Sequence, residues 1–254
     1  MYCGIIGYPL KKPRSVKLWK NFFKKKKIKC KMFPIEVSPK NFEKKINYLK
    51  KDKDFKAAAI TMPYKEVVFK KVVSKDKFSD KCKSVNLIVN NDSKLNGYNT
   101  DVYGAIEVIK KIYKKNILIY GYGGTGKAIF KNLLYKYKSS NFVIISKKKI
   151  KINKKNVLIQ NKVREKILKN INLFINCSPR GSNLKKTLLK SSPLKDNEFK
   201  FLNKSSTIFD IVYSPKKTKL YFQSKKNKIN YINGLKMNTL QANKSLKIIS
   251  KIFK

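Results

Sequence analysis

The sequence predicts an α/β protein built on mostly parallel sheets. Three observations predict it. Strand-length apolar runs alternate with helical apolar periodicities along the 254 residues, a glycine-rich turn joins one such strand to one such helix, and another strand follows that helix at βαβ distance. The turn is the centre of the pattern: Ile117-Leu118-Ile119-Tyr120 leads into Gly121-Tyr122-Gly123-Gly124-Thr125-Gly126, and Ile129, Leu133, Leu134 and Tyr137 lead out of it. Gly121, Gly123 and Gly126 stand at GxGxxG spacing. The first glycine permits a sharp turn, the second lets backbone approach a pyrophosphate, and the third lets helix pack closely on strand. Unpaired N–H groups at the helix start face the phosphates. A lone match of this kind also fits a turn that binds nothing, but here both flanks agree and Phe142-Val143-Ile144-Ile145 supplies the second strand. After that strand, where an NAD site places Asp or Glu, the chain has Ser146 followed by Lys147, Lys148 and Lys149. A ribose 2′-phosphate meets cations there and no repelling carboxylate, so NADP is expected over NAD.

Taken in order, Tyr2–Ile6 reads as a first strand ending at the turn Gly7-Tyr8-Pro9-Leu10, and Ser15 is placed to cap a helix carrying Leu18, Trp19, Phe22 and Phe23. Cys30–Val37 is a second strand, and Ser38-Pro39 opens a helix with Phe42, Ile46 and Leu49. Phe55–Met62 is a third, closed by Pro63-Tyr64-Lys65-Glu66. Lys65 therefore follows a strand end, where ligand contacts collect in open α/β sheets, although alone it reads as one more solvated lysine. Val85–Val89 and Lys94–Asn99 form a hairpin over Asn90-Asn91, ending before a helix with Ala105, Ile106, Ile109 and Ile112. Asp101, at the start of that helix, reads by itself as its N-cap. Beyond the glycine loop, Lys147–Asn170 is polar apart from Val157-Leu158-Ile159; strands follow at Ile171–Asn176, Thr207–Val212 and Ile229–Ile232, helices begin near Thr218 and at Thr239, and the last runs to Phe253.

Composition bounds the function. At 42% hydrophobic residues the chain can bury a core. A net charge of +48 ordinarily suggests a nucleic-acid or membrane partner. The cations, however, run from Lys11 to Lys254, and arginine, the better bidentate phosphate ligand, occurs only at 14, 164 and 180. Codons rich in A and T would produce this skew without selection for binding. Four cysteines at 3, 30, 82 and 177, with no CxxC pair and no histidine, exclude zinc-site spacing and fit a reducing compartment. No apolar run approaches the ~20 residues of a membrane span, and the start reads as a strand, not a signal peptide. A cytoplasmic protein is expected, with no specific nucleic acid and no membrane as partner.

Taken together, the motifs resemble shikimate dehydrogenase over essentially the full length. The family's Asn-Val-Thr-Val-Pro-Phe-Lys-Glu stands here as Ala59–Glu66, its Ala-Val-Asn-Thr as Ser84–Leu87, and its Gly-x-Asn-Thr-Asp as Gly97–Asp101. Its glycine loop matches Gly121–Thr125, its Asn-Ala-Thr resembles Asn176-Cys177-Ser178, its Asp-x-x-Tyr-x-Pro is Asp210–Pro215, and Gly234 and Gln241-Ala242 fall where the family has its late glycine and Gln-Ala. The resemblance implies a substrate-binding and catalytic α/β domain (1–101 and 236–254) and a Rossmann-type doubly wound NADP-binding domain (102–235), with the active site in the cleft they form. It implies NADPH-dependent reduction of 3-dehydroshikimate to shikimate, an anionic small-molecule substrate, and compatibility with a homodimer. Lys65 and Asp101 are then the catalytic pair; Ser15, Thr61, Asn86, Tyr213 and Gln241 hold substrate; Gly121, Tyr122, Gly123, Gly124, Thr125, Ser146, Lys147, Ile211 and Gly234 hold NADP.

The chain also departs from the family. The Ser-x-Ser carboxylate clamp is reduced to Ser15 within Lys12-Pro13-Arg14-Ser15-Val16, the leading Asn is Ala59, and the Thr after Asn86 is Leu87. Arg14 or Lys12 is expected to replace the lost hydroxyl with a charge-assisted bond. The competing readings are a quinate/shikimate dehydrogenase relative, a catalytically weakened NADP-binding homologue, and a basic nucleic-acid-binding protein.

Self-repulsion at this charge destabilises the compact state. Raising NaCl from about 0.05 to 0.5 M shortens the Debye length from roughly 14 to 4 Å and should raise Tm by several degrees; a Tm indifferent to salt contradicts this.

Overall fold

The computed structural model describes residues 1–10 and 13–253, which divide into two units, 1–103 with 240–254 and 104–239. The first unit carries β1 (Tyr2–Gly7), α1 (Arg14–Lys25), β2 (Lys31–Glu36), α2 (Phe42–Lys51), β3 (Phe55–Ile60), α3 (Lys65–Phe69), β4 (Ser74–Lys75), α4 (Lys77–Cys82), β5 (Leu87–Asn91), β6 (Lys94–Tyr98) and the first turn of α5 (Thr100–Ile109). The C-terminal helix Gly234–Ile249 contributes its residues from Leu240 onward. The sheet runs β2-β1-β3-β5-β6-β4. Among the described residues only β5 is antiparallel to its neighbours, so β6 points the same way as β3.

Side-chain alternation divides the apolar residues over the two faces of this sheet. Ile6, Ala58, Ile60 and Ile88 pack with Phe42, Ile46 and Leu49 of α2 on one face. Cys3, Ile5, Ala57, Leu87 and Val89 pack with Trp19 and Phe23 of α1 and with Ile249 on the other.

The second unit carries β7 (Asn116–Tyr120), α6 (Gly124–Lys136), β8 (Asn141–Ile145), β9 (Val157–Gln160), α7 (Glu165–Leu168), β10 (Leu173–Asn176), α8 (Lys186–Leu189), β11 (Thr207–Asp210), α9 (Lys219–Lys226), β12 (Asn230–Asn233) and the start of α10 (Gly234–Ile249). Its sheet, β12-β11-β10-β7-β8-β9, is parallel throughout. In chain order that is 3-2-1-4-5-6, the doubly wound arrangement of dinucleotide-binding domains. Strand burial follows the topology: β10 and β11 are buried along their whole length, whereas the edge strands β9 and β12 are not.

Several local expectations are corrected. The hairpin turns at Asp92-Ser93, not Asn90-Asn91: both residues have positive φ (48° and 61°), as a right-twisted two-residue hairpin requires, and the strand continues through Asn91. Ser15 does not cap α1; the helix starts at Arg14, and Pro13, its φ held at −67°, stands at the N-cap with no side-chain hydrogen bond. The last helix begins at Gly234, five residues before the expected start. The polar stretch after β8 contains β9, paired in register with β8, and α7.

The glycines of the loop differ in what a side chain would meet. Gly121 has φ +97°, and a Cβ on Gly126 would lie 2.1 Å from the Gly121 carbonyl oxygen, whereas Gly123 and Gly124 face open space. Gly126→Ala should therefore destabilise the protein by about 1–3 kcal/mol through overpacking against backbone, and Gly124→Ala should leave urea unfolding unchanged or slightly stabilised. Equal behaviour of the two variants would refute the packing role of Gly126.

Candidate functional site

In the first unit, strand direction decides what meets. Lys65 is the first residue of α3, just beyond the end of β3, and Asp101 lies in the first turn of α5, just beyond the end of β6. Because β3 and β6 run the same way, both residues leave the sheet at one edge. Lys65 Nζ donates to Asp101 Oδ2 at 2.5 Å, with the two side chains 29% and 26% exposed. The backbone of Lys65 is pinned as well, its carbonyl accepting from the Val85 N–H at 2.9 Å. The turn before it is held by Tyr64, whose ring stacks on Phe42 at 4.0 Å and whose hydroxyl donates to the Val37 carbonyl.

Asp101 does not cap its helix. Asn99, 2% exposed, does so instead, its Oδ1 accepting from the Val102 N–H at 3.0 Å while its Nδ2 donates to the Ser84 carbonyl at 2.8 Å. Asp76 Oδ1 in turn accepts from the Asn99 N–H at 3.1 Å and from Ser79 N–H at 2.8 Å as the cap of α4. The cap reading of Asp101 is thus replaced by an ion pair, and Lys65 is not a solvated surface lysine.

Beside the pair stands a buried polar network. Asn86 Oδ1 accepts from the Thr100 N–H at 2.7 Å and its Nδ2 donates to Thr100 Oγ1 at 3.0 Å. Thr100 Oγ1 also lies 3.2 Å from Gln241 Oε1 and 2.9 Å from Ser245 Oγ. The structure therefore brings Asn86 and Gln241 together through Thr100, a residue that sequence reasoning missed although it directly precedes Asp101. Thr61 follows β3, its N–H donating to the Ile6 carbonyl at 2.9 Å; its methyl sits 2.3 Å from where a Cβ on Gly7 would be, so Gly7 is required for that approach. Ser15 is half-buried in the first turn of α1, Arg14 beside it is exposed, and Lys12 lies outside the described residues. Leu87, where the family has threonine, is spent on the apolar cluster under α1.

In the second unit the glycine loop stands at the topological switch, where β7 and β10 are neighbours and the order reverses. A Cβ on Gly121 would lie 3.0 Å from Ser178 N, and the Cys177 N–H donates to the Tyr120 carbonyl at 2.8 Å, so the loops after β7 and β10 are in van der Waals contact. A groove of about 520 Å³ opens there, lined by Gly121, Tyr122, Gly123, Ser146 and Lys147 together with Arg180. Gly124 and Thr125 begin α6. Ser146 Oγ accepts from the Lys148 N–H at 3.1 Å, shaping the turn that follows β8. An adjoining cavity of about 810 Å³ shares Lys147 and Arg180 and adds Lys162, Arg164 and Lys195, with Glu198 the one carboxylate among its described lining residues. Sequence reasoning did not single out Arg180; the signal was its chemistry, an arginine in a chain almost devoid of them, within the loop after β10.

Tyr213, 39% exposed, and Ile211 follow β11 in this unit. Gly234 approaches Ile211 so closely that a Cβ would lie 2.1 Å from the Ile211 carbonyl oxygen. Their loop is organised by Asp210, which is fully buried and accepts from Asn176 Nδ2 (2.9 Å), Val212 N–H (3.1 Å), Thr218 Oγ1 (3.0 Å) and Tyr231 OH (2.9 Å). Burial holds its carboxyl above the ordinary range, against four hydrogen bonds that pull the other way. Among the described residues no group of three or more Cys, Asp or Glu is placed to hold a metal ion, and no helix is long and apolar enough to cross a membrane.

Residues 5–88 match the model of the shikimate dehydrogenase substrate binding domain. A shikimate dehydrogenase (NADP(+)) of Clostridium botulinum (strain Hall) is 32% identical over 248 residues, covering 94% of this chain and 92% of the relative. A second, from Methanosphaera stadtmanae, is 30% identical over 261 residues, covering 97% of this chain and 90% of that one. A shikimate 5-dehydrogenase from Listeria monocytogenes, solved in complex with shikimate and NAD, superposes with a TM-score of 0.84 at 22% identity, covering 98% of this chain and 91% of the other; at that identity the likeness establishes the fold. With relatives of this identity over nearly its whole length, the chain belongs to the shikimate dehydrogenase family.

Proposed function

We propose that this protein catalyses the NADPH-dependent reduction of 3-dehydroshikimate to shikimate, a step in the synthesis of aromatic compounds. The observation that carries the reading is the Lys65–Asp101 pair, an ammonium and a carboxylate 2.5 Å apart at one sheet edge beside the Asn86–Thr100–Gln241 network. The names of the relatives, shikimate dehydrogenase (NADP(+)), support it.

The residues of the second unit fit NADP. Open space above Gly123 and Gly124 leaves backbone accessible to a pyrophosphate, and no carboxylate lines the groove beside Ser146, Lys147 and Arg180. Gly121, Tyr122, Gly123, Gly124 and Thr125 would hold the phosphates, Ser146 and Lys147 the 2′-phosphate, with Arg180 as a further cation, and Ile211 and Gly234 the nicotinamide side. The bound cofactor supplies the hydride.

The chain's own residues handle proton and charge. A ketone that accepts hydride becomes an alkoxide, and in a chain without histidine the Lys65 ammonium is the acid within the polar cluster: its Nζ offsets the developing charge and delivers the proton. Asp101 fixes the ammonium's position. Asn86, Thr61 and Gln241 are assigned to the ring hydroxyls, and Ser15 and Tyr213 to the carboxylate. The long-range field of a +48 chain draws both anionic ligands toward it.

Assay of shikimate and quinate oxidation with NADP and NAD tests this reading. Turnover of shikimate with NADP is expected, with a clearly lower kcat/KM for NAD; comparable values with the two cofactors would overturn the NADP preference, and preference for quinate would reassign the substrate. Lys65→Ala should lower kcat by about two orders of magnitude with KM little changed, and a variant within fivefold of wild type would exclude Lys65 from the chemistry.

A further inference from the structure

We propose that Cys3 and Cys30 form a two-thiol oxidation site, at which a hydroperoxide oxidant generates an intramolecular disulfide. Neither residue is among those assigned above to substrate or cofactor. Cys3 lies on β1 and is fully buried, whereas Cys30, just before β2, is half-buried. The strands are parallel with Tyr2 opposite Lys31 and Cys3 opposite Met32. Residues two apart share a sheet face, so Cys30 falls on the face of Met32 and Cys3, under α1. The sulfurs are 3.6 Å apart. A disulfide requires about 2.05 Å, a closure of roughly 1.5 Å to be supplied by side-chain rotation at Cys30, which stands just outside its strand.

The two thiols are unequal in a way that assigns their roles. The bond to Cys3 holds the Cys30 thiol below the ordinary range, and the nearby Lys56 ammonium acts in the same direction. Cys3 is pushed well up by that same bond and by burial. Cys30, half-buried beside a fully buried Cys3, is the sulfur an oxidant in solution reaches first, so it is the nucleophile and Cys3 the resolving thiol. The Cys30 thiolate attacks one oxygen of the hydroperoxide; a sulfur–oxygen bond forms, the oxygen–oxygen bond breaks, and an alcohol leaves (water, where the oxidant is hydrogen peroxide). The Cys3 sulfur then attacks the sulfenic sulfur of Cys30, and the departing hydroxide leaves as water with the Cys3 proton. Two thiols lose two electrons and the hydroperoxide gains them. Cys82 and Cys177 are the internal controls: burial pushes the Cys82 thiol up to about 11 and raises Cys177 as well.

The test exposes the reduced full-length protein to hydrogen peroxide at a dose that fully oxidises free cysteine, followed by alkylation in denaturant, intact mass and peptide mapping. Expected is a monomer 2 Da lighter before alkylation, with two alkylatable thiols and a linked Cys3–Cys30 peptide; Cys30→Ser forms no such link, and Cys3→Ser stops at a Cys30 sulfenic acid that dimedone traps. The inference is overturned if all four thiols survive, if Cys82 or Cys177 is consumed first, if Cys30 proceeds to sulfinic acid while Cys3 remains alkylatable, or if the disulfide joins two chains.

Discussion

The direction of one strand governs the first unit. Had β6 run antiparallel to β3, Asp101 would leave the sheet at the edge opposite Lys65. Inserting the single antiparallel strand β5 restores the direction, because two reversals return the chain to its original heading. The hairpin is therefore the device that returns an acidic residue to the edge where Lys65 already stands. Asn86 fixes the register: its carbonyl accepts from the Ile60 N–H and its own N–H donates to the Tyr98 carbonyl, so the residue that grips Thr100 also ties β3 to β6. Fold and candidate chemistry are set by the same backbone bonds.

A chain with 62 cationic and 14 acidic residues cannot rely on ion pairing for its stability. Cations outnumber carboxylates more than fourfold, and exposed pairs such as Lys83–Asp80 or Lys169–Glu165 are screened by solvent and add little. The acids that matter are used as hydrogen-bond acceptors for fixed donors. Asp76 caps α4 and holds Asn99, Asp52 accepts from the Tyr2 hydroxyl at 2.7 Å, Glu198 Oε2 accepts from the Lys195 N–H at 2.6 Å, and Asp210 collects four donors. Asp101 differs in kind, because its partner is an ammonium and the capping of its helix has been handed to Asn99.

What the sequence made legible followed from periodicity and from glycine. The inner strands of the second unit, Ile117–Tyr120 above all, are buried on both faces and read as continuous apolar runs, while the GxGxxG spacing reported a turn whose steric demands are visible at Gly121 and Gly126. Pairwise tertiary choices were less legible. That Asn99 and not Asp101 caps α5, that Pro13 displaces Ser15 from the start of α1, and that Asp92-Ser93 carries the hairpin depend on φ angles and on which of two neighbouring polar side chains finds a donor. Strand β9 was nearly invisible, since an edge strand beside solvent needs no apolar alternation. Thr100 was hidden for another reason: its importance lies in Asn86, Gln241 and Ser245, partners far away in sequence, and no local pattern reports that.

The abundance of lysine also changes what counts as information. In a chain of average composition, three lysines after β8 would mark a phosphate site; here a lysine near any groove is expected by composition alone. Anchoring and residue type are then the informative features. Lys65 stands out because its amine has a carboxylate partner and its carbonyl a strand partner. Arg180 stands out because a guanidinium is rare in this chain and because one of its nitrogens is already held by the Ser192 carbonyl at 3.3 Å, which orients the remaining N–H donors at little further entropic cost. Composition sets the background field, and the few cations held by specific partners within it are the ones able to position a ligand.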